Sequence, residues 1–355
     1  MDNRVDDTGR STYCPASAPN PPWVTRLARG QGKPGREPDE PRKTGGRGRC
    51  DVRRRRERSP DGPHRHDRQE RCLDRPRDPL PTRVEACPDL PPAYGVALDA
   101  ALASLGIALA GDARTAIDGH IRLLLAWNDA INLTAIRDPA AVAIRHVVDS
   151  LTGLEVLRAR DVDRFVDLGS GGGFPGLTLA AALPADRALL VDSVAKKVRF
   201  LSTVAEATGL DRRTAAVAER VEALAADPRD RGRWPAATAR AVASLADLVE
   251  LALPLLRPGG VLVAWKRGDA GDLAGFGGEL LAGRRALAEI DPGGHIEVGP
   301  ALAVRIAQAG DRAGLAELAG LAELADHRLV VVERSGDPIA GSWPRDPATR
   351  RRFPL

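Results

Sequence analysis

Four glycines within five positions, set at the end of a short apolar run, constrain this chain more than any other stretch. Phe165-Val-Asp-Leu168 has the β-type residues of a strand. Gly169-Ser-Gly-Gly-Gly173 follows, and Phe174-Pro-Gly176 leads into Leu- and Ala-rich sequence suited to a helix. Strand, glycine turn and helix in that order are how a parallel α/β sheet makes a crevice for a nucleotide-like ligand.

The flanking sequence supports such a sheet. From Arg164 onward, strand patterns fall at Phe165–Leu168, Ala188–Val191, Thr214–Ala218, Ala237–Ala241, Val261–Trp265, Ile296–Val298 and Leu329–Glu333. Helical patterns such as Val194–Thr208 and Leu245–Leu256 lie between most of them. Strands separated by helices predict a mostly parallel, doubly wound, Rossmann-like sheet. Ahead of it, 96–109, 115–132 and 140–157 carry apolar residues at helical spacing, among them Ile117, Ile121, Leu124 and Ile131. Asn132-Leu-Thr134 and Arg137-Asp-Pro139 read as turn and cap chemistry between those helices. The expected organisation is a disordered Arg/Pro/Gly-rich tail over 1–90 and a single α/β domain over 91–355. Within the domain, 91–160 is a helical preface and 161–355 the α/β core, with Leu315–Leu324 an Ala/Leu-rich insertion.

Composition excludes several classes. Lys and Arg number 52 against 48 Asp and Glu, so the net charge of +4 does not by itself imply a nucleic-acid partner. No apolar stretch reaches the roughly 18 residues of a membrane span, and Met1-Asp-Asn-Arg-Val-Asp-Asp7 lacks the apolar region of a secretory signal. A cytoplasmic protein with no membrane partner is expected. Cys14, Cys50, Cys72 and Cys87 form no CxxC pair and precede the expected fold, which leaves the core without a cysteine nucleophile or a structural zinc site; no metal is expected. The run Arg53–Arg56 reads as part of a solvated tail.

Gly171-Gly-Gly173-Phe-Pro-Gly176 satisfies GxGxxG, and Asp192 follows at about the 20-residue interval of a ribose-binding acid, so spacing alone permits a nicotinamide dinucleotide. Three features favour S-adenosylmethionine. Asp167 stands two places before the first glycine, at the strand's carboxyl end, where it can meet the ammonium of a methionine moiety. The glycine turn comes after a helical preface rather than near the domain's start. Leu256-Arg-Pro-Gly-Gly-Val-Leu-Val263 places a Pro-Gly-Gly turn just before a strand. Asp192 can accept both ribose hydroxyls, cap the next helix, or do both. Arg220-Val-Glu222 follows the third strand, where adenine contacts lie or where a surface helix simply starts.

Taken together, a longer series of motifs resembles one family. It runs Trp127-Asn-Asp-Ala-Ile-Asn-Leu-Thr134, Arg137-Asp-Pro139, Arg145-His-Val-Val-Asp-Ser-Leu151 and Asp167–Leu177. It continues with Asp192-Ser193, Lys196-Lys197, Arg199-Phe-Leu201, Arg220-Val-Glu222, Ala239–Leu245 and Trp265-Lys-Arg-Gly268. These segments are similar to those of the ribosomal RNA small subunit methyltransferase G family, which methylates guanine N7 in 16S rRNA, and Pro344-Arg345 and Arg351–Leu355 resemble its basic tail. The resemblance covers about Ala93 to the end; the N-terminal tail and the Leu315–Leu324 insertion depart from it. It implies a class I methyltransferase fold, S-adenosyl-L-methionine as cofactor, and 16S rRNA or the small ribosomal subunit as partner. It also implies cofactor contacts at Gly169, Phe174, Val221, Glu222 and Arg240, to which the residues themselves add Asp167, Gly171 and Asp192. Arg240 can alternatively pair with a core carboxylate. RNA contacts are expected at Arg145, His146, Lys196, Lys197, Arg199 and Lys266, with Arg267 and Arg350–Arg352 beside them.

No catalytic acid or base is expected, because guanine N7 offers a lone pair and no proton in the neutral base. Cytosine C5 methylation would need the missing cysteine. Exocyclic amine methylation would need an Asn/Asp-Pro-Pro-aromatic motif where this chain reads Ala239-Arg-Ala241; Asn20-Pro-Pro-Trp23 matches it, but in the tail and with no strand before it. The alternatives are a nicotinamide-dependent oxidoreductase and a non-catalytic RNA-binding module with a methyltransferase fold.

Overall fold

All seven expected strands form: β1 (Arg164–Leu168), β2 (Arg187–Asp192), β3 (Thr214–Ala218), β4 (Trp234–Arg240), β5 (Leu256–Arg267), β6 (His295–Val298) and β7 (His327–Glu333). The computed structural model describes residues 79–184, 187–308 and 320–355. The strands pair in the order β3-β2-β1-β4-β5-β7-β6. Neighbours from β3 to β5 are parallel, and β7 runs antiparallel between β5 and β6. This is a doubly wound, Rossmann-like sheet, mostly parallel as the alternation of strands and helices predicts.

The central strands β1, β2 and β4 are buried on both faces, which is why they read as near-continuous apolar runs rather than alternating ones. Pro235 sits in central β4 because the register with β5 shifts between Trp234 and Ala236, a bulge that needs no ladder donor. The Pro258-Gly-Gly260 turn falls inside β5 rather than ahead of it. Gly259 takes φ +70° there, and a Cβ on Gly260 would stand 2.9 Å from the Trp234 carbonyl.

Helices cover the sheet. The preface supplies α1 (Pro92–Leu105), α2 (Gly111–Ile131), a helical run α3 over 139–151, and α4 (Leu154–Arg158). The strand connections supply α5 (Gly176–Ala182), α6 (Ala195–Ala207), α7 (Val221–Ala226), α8 (Leu245–Ala252), α9 (Phe276–Ile290) and α10 (Leu302–Gln308); α11 (Pro347–Arg352) closes the chain. Asp138 caps α3 by accepting the Ala141 N–H, with Pro139 at the first helical position, as Arg137-Asp-Pro139 suggests. Helix α2 buries Ile117, Ile121, Leu124 and Trp127 and packs on α5 and α6, which brings the preface against the sheet's own helix layer.

Two sequence expectations change. Up to residue 78 the proposed tail lies outside the described residues, together with Asn20–Trp23 and Arg53–Arg56. Residues 79–90 are not tail-like: Trp127 Nε1 donates to the Pro81 carbonyl at 2.7 Å, Arg122 Nε donates to Pro88 at 3.0 Å, and Cys87 is buried. Hydrogen bonds from Trp127 and Arg122 on α2 tie this stretch to the domain, and buried Cys87 belongs to the fold. Of the Leu315–Leu324 stretch, 315–319 lie outside the described residues. Leu321–Leu324 form a 3-10 turn anchored by buried Leu321 and Leu324.

Candidate active site

After β1 the chain turns through Gly169, Gly171 and Gly173 at φ +68°, +54° and +93°, a left-handed region that side chains disfavour. The turn is also crowded: a Cβ on Gly169 would stand 2.7 Å from Val242 Cγ2. Asp192, ending β2, accepts the Gly171 N–H at 3.0 Å through Oδ2 and the Val194 N–H at 2.9 Å through Oδ1, tying two loops of the carboxyl edge together. Each of its oxygens has capacity for one more donor. Val221 and Glu222 open α7 directly after β3, on the same edge.

Asp167 is 0% exposed. Its Oδ2 accepts the Gly176 N–H at 3.2 Å and its Oδ1 accepts the Thr238 hydroxyl at 2.7 Å. Burial pushes its carboxyl up to about 6 against the pull of these donors. Asp167, expected from its position to meet a ligand's ammonium, is engaged here by the chain itself. Its oxygens face Gly176 and Thr238 beneath the turn, so it shapes the turn from below.

Phe174 lies between two imidazoles, with ring centroids 4.6 Å from both His120 and His146 and interplanar angles of 29° and 14°. His120 Nε2 donates to the Gly172 carbonyl at 2.7 Å. His146 Nδ1 accepts from Arg240 Nη2 at 3.0 Å, so its proton is on Nε2, which donates to Thr134 Oγ1 at 2.6 Å. Burial pushes His120 down to about 4 and His146 to about 3, the second helped by repulsion from Arg240; both rings are neutral at pH 7. The motif ending in Asn132-Leu-Thr134 acquires a physical reason here. Asn132 ends α2 at φ 50°, and the Asn128 amide holds the Leu133 and Thr134 main chain so that Thr134 reaches His146.

On the other side of the crevice Arg240, at the end of β4, pairs through Nη1 with Asp149 Oδ2 at 2.9 Å and donates to the Arg145 carbonyl at 2.9 Å. Asp149 Oδ1 accepts from His327 Nδ1 at 2.9 Å, and its main-chain carbonyl accepts from Trp265 Nε1 at 2.7 Å. The pairing of Arg240 with a core carboxylate is therefore realised, while Nη2 holds His146 and the guanidinium carbon stands 5.5 Å from the Phe174 ring centroid. Arg145 and His146 lie on a π-helical turn, Ala143–Val148, within α3. Such turns are frequent at functional sites.

Arg145, His146, Asp149, Arg240, Trp265, Lys266, Arg267 and His327 line a cavity of about 340 Å³. The structure sorts the RNA candidates accordingly. Arg145 and Arg267 are exposed at this cavity, in long ion pairs with Glu323 (3.6 Å) and Asp326 (3.4 Å). Lys266 turns inward instead: Nζ contacts the Ala243 carbonyl at 2.9 Å and Glu279 at 2.6 Å, with the side chain only 10% exposed. Lys196, Lys197 and Arg199 sit on α6, after β2, and do not line the cavity. Arg350 pairs with Glu222 rather than facing solvent, leaving Arg351 and Arg352 exposed.

Sequence reasoning did not single out His120, Asp149 or His327 as site residues. Asp149 stood inside a quoted motif, yet its partner His327 is 178 positions away, and no local spacing links the two.

Comparison with known proteins gives the family. The family profile described as rRNA small subunit methyltransferase G matches residues 114–272. The chain is 33% identical over 251 residues to "Ribosomal RNA small subunit methyltransferase G" of Desulfitobacterium hafniense, covering 71% of this chain and 93% of that protein. It is 32% identical over 267 residues to the protein of that name in Symbiobacterium thermophilum, covering 74% and 98%. The chain belongs to the rRNA small subunit methyltransferase G family. A third relative, from Deinococcus radiodurans, is 44% identical over 183 residues, 51% of this chain and 68% of the relative. Membership bears out the methyltransferase expectation and does not favour the nicotinamide-dependent or non-catalytic alternatives. Among the described residues no helix is long and apolar enough to cross a membrane.

Proposed function

We propose that this chain transfers the methyl group of S-adenosylmethionine to N7 of a guanine in 16S ribosomal RNA, acting in the cytoplasm on the small subunit or its RNA. One observation carries the reading. At one carboxyl edge, a glycine turn tied to Asp192 stands on one side and a cationic cavity on the other, with Phe174 and Arg240 between them.

The residues fit the cofactor by their chemistry. Gly171 leaves main chain open to close approach, Gly169 supplies the left-handed turn that brings it there, Asp192 has lone pairs left for ribose hydroxyls, and Val221 and Glu222 would border an adenine. When bound, the cofactor supplies a methyl carbon made electrophilic by its sulfonium. Guanine N7 carries no proton, so no residue has to remove one, and this chain's work is alignment and exclusion of water. Phe174, clamped between two imidazoles, gives that alignment a rigid wall. His146 is neutral, so it adds no positive charge beside a base that becomes cationic on N7 alkylation. Arg145 and Arg267 are placed for phosphates, a contribution that weakens with salt. A guanine inside duplex RNA presents N7 in a deep, narrow groove, so the reading requires a single-stranded or incompletely assembled target.

The test is nucleoside analysis of small-subunit rRNA from cells with and without this protein, alongside transfer of labelled methyl to purified 16S rRNA. N7-methylguanosine should disappear from the RNA of cells lacking the protein. Label on any other atom, or none, would sink the acceptor assignment.

A further inference from the structure

The chain's last residues return to the cofactor side of the sheet. β7 and β3 lie five strand spacings apart, about 24 Å at the usual separation between strands. After β7 the chain makes contact with the residues just ahead of β4, then with α8, and last with the start of α7, the helix that follows β3. Arg231 receives it, donating to the Trp343 carbonyl at 2.7 Å and the Ala340 carbonyl at 2.8 Å. Glu250, 1% exposed, then takes Arg345 in a two-pronged pair at 3.0 and 2.7 Å. Ile339, Trp343 and Leu355 pack on the same hydrophobic cluster as Val221. Asp346 caps α11, and Arg350 on that helix closes on Glu222. The two side chains are 11% and 17% exposed.

We propose that segment 339–355 is a latch on the cofactor pocket and that Arg350 is the positioning residue that orients Glu222. The proposal rests on the reading that Val221 and Glu222 border the adenosine end of the cofactor. Glu222 stands in the first turn of a six-residue helix, α7, that has no side-chain cap to steady it. A partly buried ion pair with Arg350 fixes its rotamer more firmly than a solvated carboxylate could be fixed. Nη1 of Arg350 is buried without a hydrogen-bond partner among the described residues, so the pair also holds an unused donor beside that carboxylate. A ligand with ring-nitrogen or hydroxyl acceptors, as adenosine has, matches this arrangement. Binding at one end and docking of the tail at the other are then coupled, and each strengthens the other equally.

The test uses the full chain and S-adenosylmethionine itself. Arg350→Ala should raise the Kd and KM for S-adenosylmethionine by about tenfold, the order of one charge-assisted hydrogen bond. Turnover at saturating cofactor should stay within about twofold on the same argument, since the reacting atoms are not touched. Arg350→Lys should recover part of the loss. Glu222→Gln combined with Arg350→Ala should be no worse than Glu222→Gln alone. In the unmodified protein, the cofactor should slow amide hydrogen exchange across 345–353, a readout that does not depend on any variant folding. Unchanged exchange there, or an unchanged Kd in a folded Arg350→Ala protein, overturns the latch. Failure of the unmodified protein to bind S-adenosylmethionine overturns the cofactor reading instead.

Discussion

Between β1 and β2 the crevice is made of main chain; between β4 and β7 it is made of side chains. On the first side, glycines at positive φ are pinned by Asp192 and shaped by Asp167 from below, and the preorganised groups are backbone N–H donors. On the second, Arg240, Asp149, His146 and His327 come from α3, β4 and β7 and hold one another by charge and hydrogen bonds around an open cavity. A main-chain surface suits a small ligand of constant shape. A network of charged side chains suits a large polyanion whose phosphates must be found and released. The two sides should therefore fail differently when altered.

The largest effect is expected at Gly169. Gly169→Val puts a branched side chain against Val242 and forces it into left-handed backbone, which alone costs about 1–2 kcal/mol. Calorimetry should find cofactor binding lost, and a variant that still binds would show that the turn is not the cradle. Asp149→Asn should act on the other side, leaving a buried guanidinium without its anion. The expected loss of folding stability is roughly 3–5 kcal/mol in urea denaturation, with a smaller loss of cofactor affinity in the surviving folded protein than at Gly169, because Arg240 keeps its contacts with the Arg145 carbonyl and His146. A loss of affinity as large as that at Gly169 would erase the distinction between the sides.

The stack that joins them predicts a pH dependence. His120 and His146 are held neutral by burial, so the unfolded chain binds protons below about pH 6.5 that the folded chain refuses, and stability falls as pH falls through that range. Asp167 acts oppositely: its raised carboxyl takes a proton in the folded state first, so its ionisation cost is relieved below about pH 6. Two imidazoles against one carboxyl leave a net loss on the order of 2 kcal/mol between pH 6.5 and 5. His120→Gln should flatten that limb in urea titrations, and an unchanged slope would remove His120 from the account. The smallest effect concerns Glu323 and Asp326, which occupy Arg145 and Arg267 in exposed pairs worth about 0–1 kcal/mol each. Glu323→Gln with Asp326→Asn should tighten rRNA binding a few-fold at low salt, in filter binding, without changing cofactor affinity.

Much of this site was readable locally. The glycine turn, the acid at the end of β2 and the Asp138 cap rest on short-range rules, and they fall where those rules place them. Asp167 was found for its position, but its hydrogen bonds to the Gly176 N–H and the Thr238 hydroxyl were not legible in the sequence. A residue at a strand's carboxyl end can face the crevice or the layer beneath it, and only packing against Gly176 and Thr238 chose between them. Lys266 and Arg350 looked like solvent-facing cations, yet each is claimed by a carboxylate, Glu279 at 13 and Glu222 at 128 positions' separation.

By itself the sequence determined the strands, the turn between β1 and α5, the caps, and the family to which those motifs belong. These depend on side-chain period and on the φ angles that particular residues tolerate, both local properties. Only the tertiary structure decided that β7 reverses between β5 and β6, that His327 thereby meets Asp149, and that the last helix comes to rest on Glu222. Those pairings follow from the order of strands in the sheet. That order is set by how all the apolar faces are buried together, not by any single segment.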